Sequence, residues 1–118
     1  MGMTDELNEK KAFLSWKESL GVLQTDAQRG VARAQRLLAM RYLRGRGVPK
    51  DEAIAFYWMQ LAAQQDFALA QRSLGELYEN GSGTALDINL AFHWYCLAAQ
   101  QGDPIAKKHL QRLEQPTT

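Results

Sequence analysis

The chain repeats itself with a period of 36 residues. Residues 34–65 align with residues 70–101, and sixteen of the 32 aligned pairs are identical. A third, partial copy begins at Ala106, in step with Ala34 and Ala70. A repeat of this length is one supersecondary unit that cannot bury its apolar face alone, so neighbouring units must stack. The period therefore predicts a small stack of repeats, and the main use of such a stack is as a surface for contact.

Each unit is predicted to be a pair of antiparallel helices. In the first unit, apolar residues spaced by three or four positions predict a helix over 31–43, which Gly45 and Pro49 bring to an end. Asp51 is placed to cap a second helix that runs to about Gln64. The same signals predict helices over 67–80, 87–100 and 104–113.

The second helices of the units are apolar on two sides, which is expected of helices that lie between neighbours. Trp58 and Trp94 are predicted to fill the cores of their units, with Tyr78 beside them. Cys96 lies on such a helix and is predicted to be a buried, unreactive thiol.

A chain of 118 residues is predicted to form a single domain. Its N-terminal part looks like a degenerate second helix of a preceding unit, with Gly21 a candidate break. Arg41 lies close to the core stripe and is expected either to extend to the edge or to pair with an acid such as Glu18. The expected division is an N-terminal helical cap over 1–29, repeat 1 over 30–65, repeat 2 over 66–101, and a partial repeat with the C-terminal cap over 102–118.

Composition excludes several classes of protein. With 46% apolar and 23% charged residues the chain is typical of globular proteins. It has no apolar run near the roughly 18 residues of a membrane span, and its N-terminus lacks the apolar core of a secretory signal. The single Cys96 excludes an intramolecular disulfide and favours a reducing compartment. We therefore expect a cytoplasmic protein without a membrane anchor.

No residue pattern supports catalysis or a cofactor. Gly45-x-Gly47 and Gly81-x-Gly83 follow no predicted strand and fit turns rather than phosphate loops. The two histidines, His93 and His109, have no cysteine or carboxylate at ligand spacing, so no metal site is predicted. No serine, histidine and acid are spaced as a catalytic constellation. The chain is therefore expected not to be an enzyme.

The second unit carries a family pattern. Its residues are Ala70, Leu74-Gly75, Tyr78, Gly81, Gly83, Asp87, Ala91, Trp94, Ala98-Ala99 and Gly102. In this pattern the chain resembles the Sel-one-like repeat (SLR) family, whose unit is related to tetratricopeptide repeats. The first unit departs from it, with Ala39 and Asp66 in place of glycines.

The resemblance implies an all-α fold, an α/α superhelix of about two full repeats with flanking capping helices. It implies an adaptor in protein complexes, often bacterial, and carries over no catalytic residue. One branch of the family is secreted and has a disulfide in each repeat, and with a single cysteine this chain does not fit it.

Nine positions on the first helices form the candidate binding site. Arg36, Arg72 and Lys108 are separated by 36 residues each and should fall in one row, on a face that the resemblance suggests is concave. The nine are Arg33, Arg36, Met40, Leu69, Arg72, Glu76, Ile105, Lys108 and Arg112. A groove that mixes basic and apolar groups suits a protein or peptide partner that carries acidic groups. The alternative is that these residues are solvated surface charges that keep the face soluble and bind no partner.

Two other functions stay open. The charges are polarised: residues 29–50 carry seven basic groups and no acid, whereas residues 51–103 carry seven acids and a single arginine. This asymmetry allows head-to-tail contact and hence a homo-oligomerising scaffold. The basic 29–50 segment also suggests nucleic-acid binding, which a net charge of only +1 and the acidic second unit disfavour.

Overall fold

The computed structural model describes residues 20–114. Helices connected by short loops make up this part of the chain, which contains no strand. The helices are α1 (residues 20–28), α2 (Ala32–Arg44), α3 (Glu52–Ala63), α4 (Ala68–Asn80), α5 (Ile88–Gln100) and α6 (Pro104–Glu114). The prediction of an all-α fold is confirmed. Gly21 is the second described residue of α1, and the segment from which a break at Gly21 would separate it lies outside the described residues.

The same local signals begin and end the helices of both units. Gly45 and Gly81 follow α2 and α4 with φ of 66° at each, a left-handed conformation that glycine adopts without steric cost. Asp51 and Asp87 precede α3 and α5, and the Oδ1 of each accepts a hydrogen bond of 3.0 Å from a backbone N–H three residues later. The prediction that Asp51 caps its helix is confirmed.

The helices stack in chain order. Each of α2 to α5 packs on the helix that follows it, and α2 also touches α4. Ala39, Met59 and Leu74 belong to the core shared by α2, α3 and α4. Tyr95 and Ala106 belong to a second core between α5 and α6. Small residues at these contacts let the helix axes approach closely, so that the two units and the flanking helices form one continuous stack.

The large aromatic residue of the core is not the one predicted. Tyr95 is fully buried, whereas Trp58, Trp94 and Tyr78 are half-buried and pack against the core from its edge. The sequence reasoning assigned the core to the repeated tryptophans because they recur every 36 residues. Cys96 is also half-buried rather than buried, because it lies off the stripe of Ala91, Tyr95 and Ala98 that forms the buried side of α5.

A glycine makes room for Tyr95. A Cβ at Gly75 would lie 2.6 Å from Cε1 of the Tyr95 ring, which is closer than packed atoms can approach. The first unit has Ala39 and Met59 at the two equivalent positions, 36 residues earlier. Each unit therefore fills the same space with a different pair: alanine with a flexible methionine, or glycine with a rigid aromatic ring.

Buried glutamines connect successive units. Gln35 and Gln71 are almost fully buried on α2 and α4, and the Nε2 of each donates to a backbone carbonyl eight residues earlier. The Oε1 of each accepts from the Nε2 of a second glutamine, Gln65 and Gln101 respectively, at 2.8 and 2.9 Å. Sequence reasoning missed this pairing, although all four glutamines are visible in the 36-residue alignment. Because their polar groups are satisfied, they can be buried without a large penalty.

Candidate binding site

A cavity of about 510 Å³ lies between α2 and α4. Its lining residues are Arg36, Met40, Leu43, Arg44, Glu52, Arg72, Ser73, Glu76, Leu77, Asn80 and Ser82. Four of the nine predicted site residues are among them: Arg36, Met40, Arg72 and Glu76. The wall is therefore mixed, with aliphatic side chains next to arginines.

Arg72 is occupied by carboxylates of its own chain. Its Nε lies 3.3 Å from Oδ2 of Asp103, and its Nη1 lies 3.6 Å from Oε1 of Glu76, one helical turn along α4. Asp103 is itself buried, and its Oδ1 accepts hydrogen bonds from two backbone N–H groups at the start of α6. Asp103 thus both caps α6 and forms an ion pair with Arg72. Because the guanidinium of Arg72 is already paired within the chain, it is poorly placed to bind a carboxylate of a partner.

Arg36 is in a different situation. Its Nε is buried without a hydrogen-bond partner, and no other described residue forms an ion pair with its side chain. Burial lowers the pKa of Arg36, and the nearby positive charges of Arg72 and Arg44 lower it further, against the opposing effects of Glu76 and Asp103. A guanidinium deprotonates only under extreme conditions, so Arg36 remains charged, under-solvated and close to other cations.

A polar cluster joins α4, α5 and α6 beside Arg72. Both carboxylate oxygens of Glu79 engage Arg112, at 2.7 and 2.8 Å, and Oε1 also accepts a 2.7 Å hydrogen bond from the Tyr95 hydroxyl. The hydrogen bond from Arg112 holds the pKa of Glu79 below its ordinary value. Burial, and then the bond to Glu79, raises the pKa of the Tyr95 hydroxyl. The cluster fastens α6 to the second unit.

His109 completes this cluster. Its ring stacks on Tyr95 with 4.6 Å between the ring centroids. Nδ1 lies 3.1 Å from Nη2 of Arg112, and because an arginine N–H can only donate, Nδ1 must accept. The proton of a neutral ring is then on Nε2, which faces Oε2 of Glu76 at 3.8 Å, near enough for attraction but too far for a hydrogen bond.

The other five predicted site residues lie outside the cavity. Arg33, Leu69, Ile105 and Lys108 are exposed, and Arg112 is engaged by Glu79. The three cations of the predicted row are therefore in three different environments: one unpaired beside the cavity, one neutralised, and one exposed to solvent.

Sequence reasoning missed Arg44 and Asp103 as parts of this region. Arg44 stands in the last turn of α2 and belongs to the basic block, so its charge was visible but its position beside the cavity was not. Asp103 precedes Pro104, a signal for a helix start that could have identified it as a cap. Its contact with Arg72 spans 31 residues and has no sequence signal.

Three further expectations can be placed. Arg41 is half-buried and engaged by other groups, while its suggested partner Glu18 lies outside the described residues. From residue 20 to residue 114, no group of histidine, cysteine and acidic side chains is arranged to hold a metal ion. No helix in the same range is long and apolar enough to cross a membrane.

Taken together, the stacked two-helix units and the cavity between first helices define a helical repeat protein of the α-solenoid class. The sequence profile of the Sel1 repeat matches residues 32–67 and 68–103, which together make up more than half of the chain. The chain belongs to the Sel1 repeat family. No curated protein sequence matches it.

Three solved structures show the same architecture. A Sel1 repeat protein from Oxalobacter formigenes is 48% identical with a TM-score of 0.75, over 76% of this chain and 68% of that one. The antigen c5321 of uropathogenic Escherichia coli, which displays an SLR fold, is 35% identical with a TM-score of 0.73. That match covers 75% of this chain but only 19% of the antigen. Helicobacter pylori cysteine rich protein B is similar in fold at 21% identity and a TM-score of 0.73, over 77% of this chain and 68% of that one.

Membership of the family bears on function in general terms. Sel1 repeats generally mediate contacts between proteins, and the fold is of a scaffold kind rather than a catalytic one. The similar structures come from bacteria. The expectation of a protein-binding repeat is confirmed at this level.

Proposed function

We propose that this protein is a non-enzymatic adaptor that binds a partner polypeptide along its first-helix face, meaning the surface formed by α2, α4 and α6. The observation that carries this proposal is the cavity between α2 and α4, which presents aliphatic and cationic groups side by side. Such a mixture provides both apolar burial and specific polar contacts for a peptide. The single cysteine, half-buried and unpaired, supports a reducing compartment such as the cytoplasm.

Exposed apolar side chains extend this surface beyond the cavity. Leu69 on α4 and Ile105 on α6 are 39% and 42% exposed. They are one repeat apart in the sequence and so occupy equivalent places on successive first helices. A polypeptide that lay across the first helices would cover both of them.

The second helices offer matched controls for a test of this face. Leu90 and Ile88 on α5 are also 39% and 42% exposed, so each first-helix residue has a control of the same type and exposure. A photo-crosslinking amino acid is placed at each of the four positions in turn, and the protein is irradiated in extract of its native host. We expect a discrete adduct from Leu69 and Ile105 and none from Leu90 and Ile88, and the captured partner is then purified and titrated.

Two results would contradict the proposal. Adducts from the α5 positions alone would place the partner on the second helices. Adducts consisting only of the protein with itself would favour the homo-oligomerising scaffold, which analytical ultracentrifugation would then detect.

A further inference from the structure

The two junctions between first helices occupy equivalent places in the repeat but differ in charge. At the junction of α4 with α6, Arg72 is bound by Asp103 and by Glu76. At the junction of α2 with α4 the arginine is Arg36, 36 residues earlier. The positions that correspond to Asp103 and Glu76 are occupied there by Phe67 and Met40. The first junction therefore keeps the cation of the second but lacks both of its carboxylates.

The two junctions also differ in how their space is filled. Glu79 and His109, which fill the second junction with polar contacts, correspond to Leu43 and Ser73 at the first. Leu43 and Ser73 line the cavity. At the first junction Arg36 thus lacks the ion pairs that Arg72 makes at the second: it lies beside an open volume, and its Nε has no partner.

From this comparison we infer that the cavity between α2 and α4 binds an aspartate or glutamate side chain of a partner polypeptide, with Arg36 as its counter-ion. This rests on the proposed function and specifies the chemistry of the partner. The incoming carboxylate does for Arg36 what Asp103 and Glu76 do for Arg72. A charge-assisted contact with a partly desolvated arginine is among the stronger polar interactions in proteins.

The surroundings of Arg36 favour an anion. Arg44 lines the cavity and is near enough to lower the pKa of Arg36, as is Arg72, whose own charge Asp103 and Glu76 balance. Glu76, one of the two acids of the lining, is already engaged by Arg72. The remaining acid of the lining, Glu52, is exposed in the first turn of α3, where the helix dipole stabilises a negative charge.

The carboxylate belongs to a side chain rather than to a chain end. Leu69 on α4 and Ile105 on α6 are exposed outside the cavity at equivalent places on successive first helices, so a segment that also covers them extends past the cavity. Met40 and Leu43 lie in the same cavity as Arg36 and provide a place for an aliphatic neighbour of the acidic residue. The inferred ligand is an acidic residue next to an aliphatic one, within a longer segment.

The test uses a random peptide library displayed on phage and selected on the full chain. Enriched peptides are synthesised with amidated C-termini, which removes the terminal carboxylate, and their dissociation constants are measured by fluorescence anisotropy. We expect the peptides to share an Asp or Glu, and replacement of that residue by Asn or Gln to weaken binding about ten- to a hundredfold. A replaced peptide synthesised with a free C-terminal carboxylate should not regain the lost affinity.

Arg36→Met in the protein and the Asn or Gln replacement in the peptide form a double-mutant cycle. Arg36→Met should weaken binding of the peptide with the Asp or Glu by a similar factor and leave binding of the peptide with the Asn or Gln replacement unchanged. Arg33→Met is the control and should change neither, because Arg33 is an exposed cation of α2 outside the cavity. Arg36→Met should also melt at the same temperature as the parent or higher, because a partly buried cation whose Nε has no partner opposes folding. Loss of binding without loss of stability separates a ligand contact from a structural role.

A third substitution supplies the missing carboxylate from within. Met40→Glu places an acid four residues after Arg36, as Glu76 stands to Arg72. It should abolish selection for acidic peptides, and Met40→Gln should not.

The outcomes separate this inference from the proposed function. Peptides that bind the first-helix face, as mapped by chemical-shift perturbation, but need no acid or ignore Arg36 would overturn the inference and leave the adaptor intact. Peptides that map to α3 and α5 would overturn both. A selection that enriches nothing would count against the inference, while the crosslinking experiment would still decide the proposed function.

Discussion

At the scale of single residues, the two units show that one side chain can set the size of its neighbour. Gly75 and Tyr95 in the second unit, and Ala39 and Met59 in the first, are alternative solutions for the same contact. A methionine can bend around a methyl group, but the ring of Tyr95 cannot. The glycine of the second unit is therefore explained by packing, since it lies within α4 and needs no unusual backbone angle.

The pair predicts a compensating exchange. Gly75→Ala alone should destabilise the protein by about 1–3 kcal/mol through overpacking. Tyr95→Met alone should also destabilise it, because it removes the hydrogen bond to Glu79 and leaves a space. The double variant recreates the pair of the first unit, so its loss should be smaller than the sum of the single losses by about 1 kcal/mol or more. Urea denaturation measures all three, and strictly additive losses would contradict the packing argument.

At the scale of elements, caps and turns were predictable from the sequence because their causes are local. Asp51 and the loop glycines act within a few residues, and the 36-residue period showed each signal twice. The identity of the core aromatic residue was not predictable in this way. Trp94 and Tyr95 are adjacent on α5, and which of them is buried depends on Gly75 of another helix.

The candidate site was predictable to the same limited extent. Periodicity identified the row of Arg36, Arg72 and Lys108 and the mixture of charges around it. It could not show that Asp103 neutralises Arg72 across 31 residues, because one copy of the repeat has this contact and the other does not. The proposed crosslinking and peptide experiments test whether the row of Arg36, Arg72 and Lys108 binds a partner.

The attachment of α6 should depend on pH through Glu79. Its pKa in the folded protein is below the ordinary value of 4.5, so its contribution to stability is present above that pH and lost as the pH falls through the folded-state pKa. Half of the Arg112 side chain is exposed, so the contribution should be about 1 kcal/mol or less. The difference in unfolding free energy between the parent and Glu79→Gln should therefore stay constant from neutral pH down to about 4.5 and then shrink. A difference independent of pH would show that the charge of Glu79 is not what holds α6.

At the scale of the whole molecule, the stack depends on contacts between neighbours. Ala27 of α1 packs with Ala34 and Leu38 of α2, and the backbone carbonyl of Ala27 accepts from Nε2 of Gln35. The apolar residues at the start of the first unit are thus covered by α1, and the buried amide of Gln35 finds its acceptor there.

Removal of residues 1–29 should therefore impair the remainder. It exposes Ala34 and Leu38 and leaves Gln35 without its buried acceptor, so we expect residues 30–118 to self-associate and to melt at a lower temperature. Sedimentation velocity and thermal denaturation, with the full chain as reference, test this. A monomer with an unchanged melting temperature would mean that the N-terminal segment is only an appendage.

The paired glutamines also bear on how such chains change in length over evolution. Gln71 donates to a carbonyl of the preceding unit and accepts from Gln101 of its own unit. In a chain with a duplicated copy of residues 68–103 inserted after Phe67, each copy of Gln71 would therefore have both partners at the same spacing. Growth beyond α6 would not, because Lys107 stands where Gln35 and Gln71 stand in the earlier units and has no oxygen to accept. Gene duplication could thus lengthen the array between its two units, whereas α6 lacks the acceptor that this pairing requires.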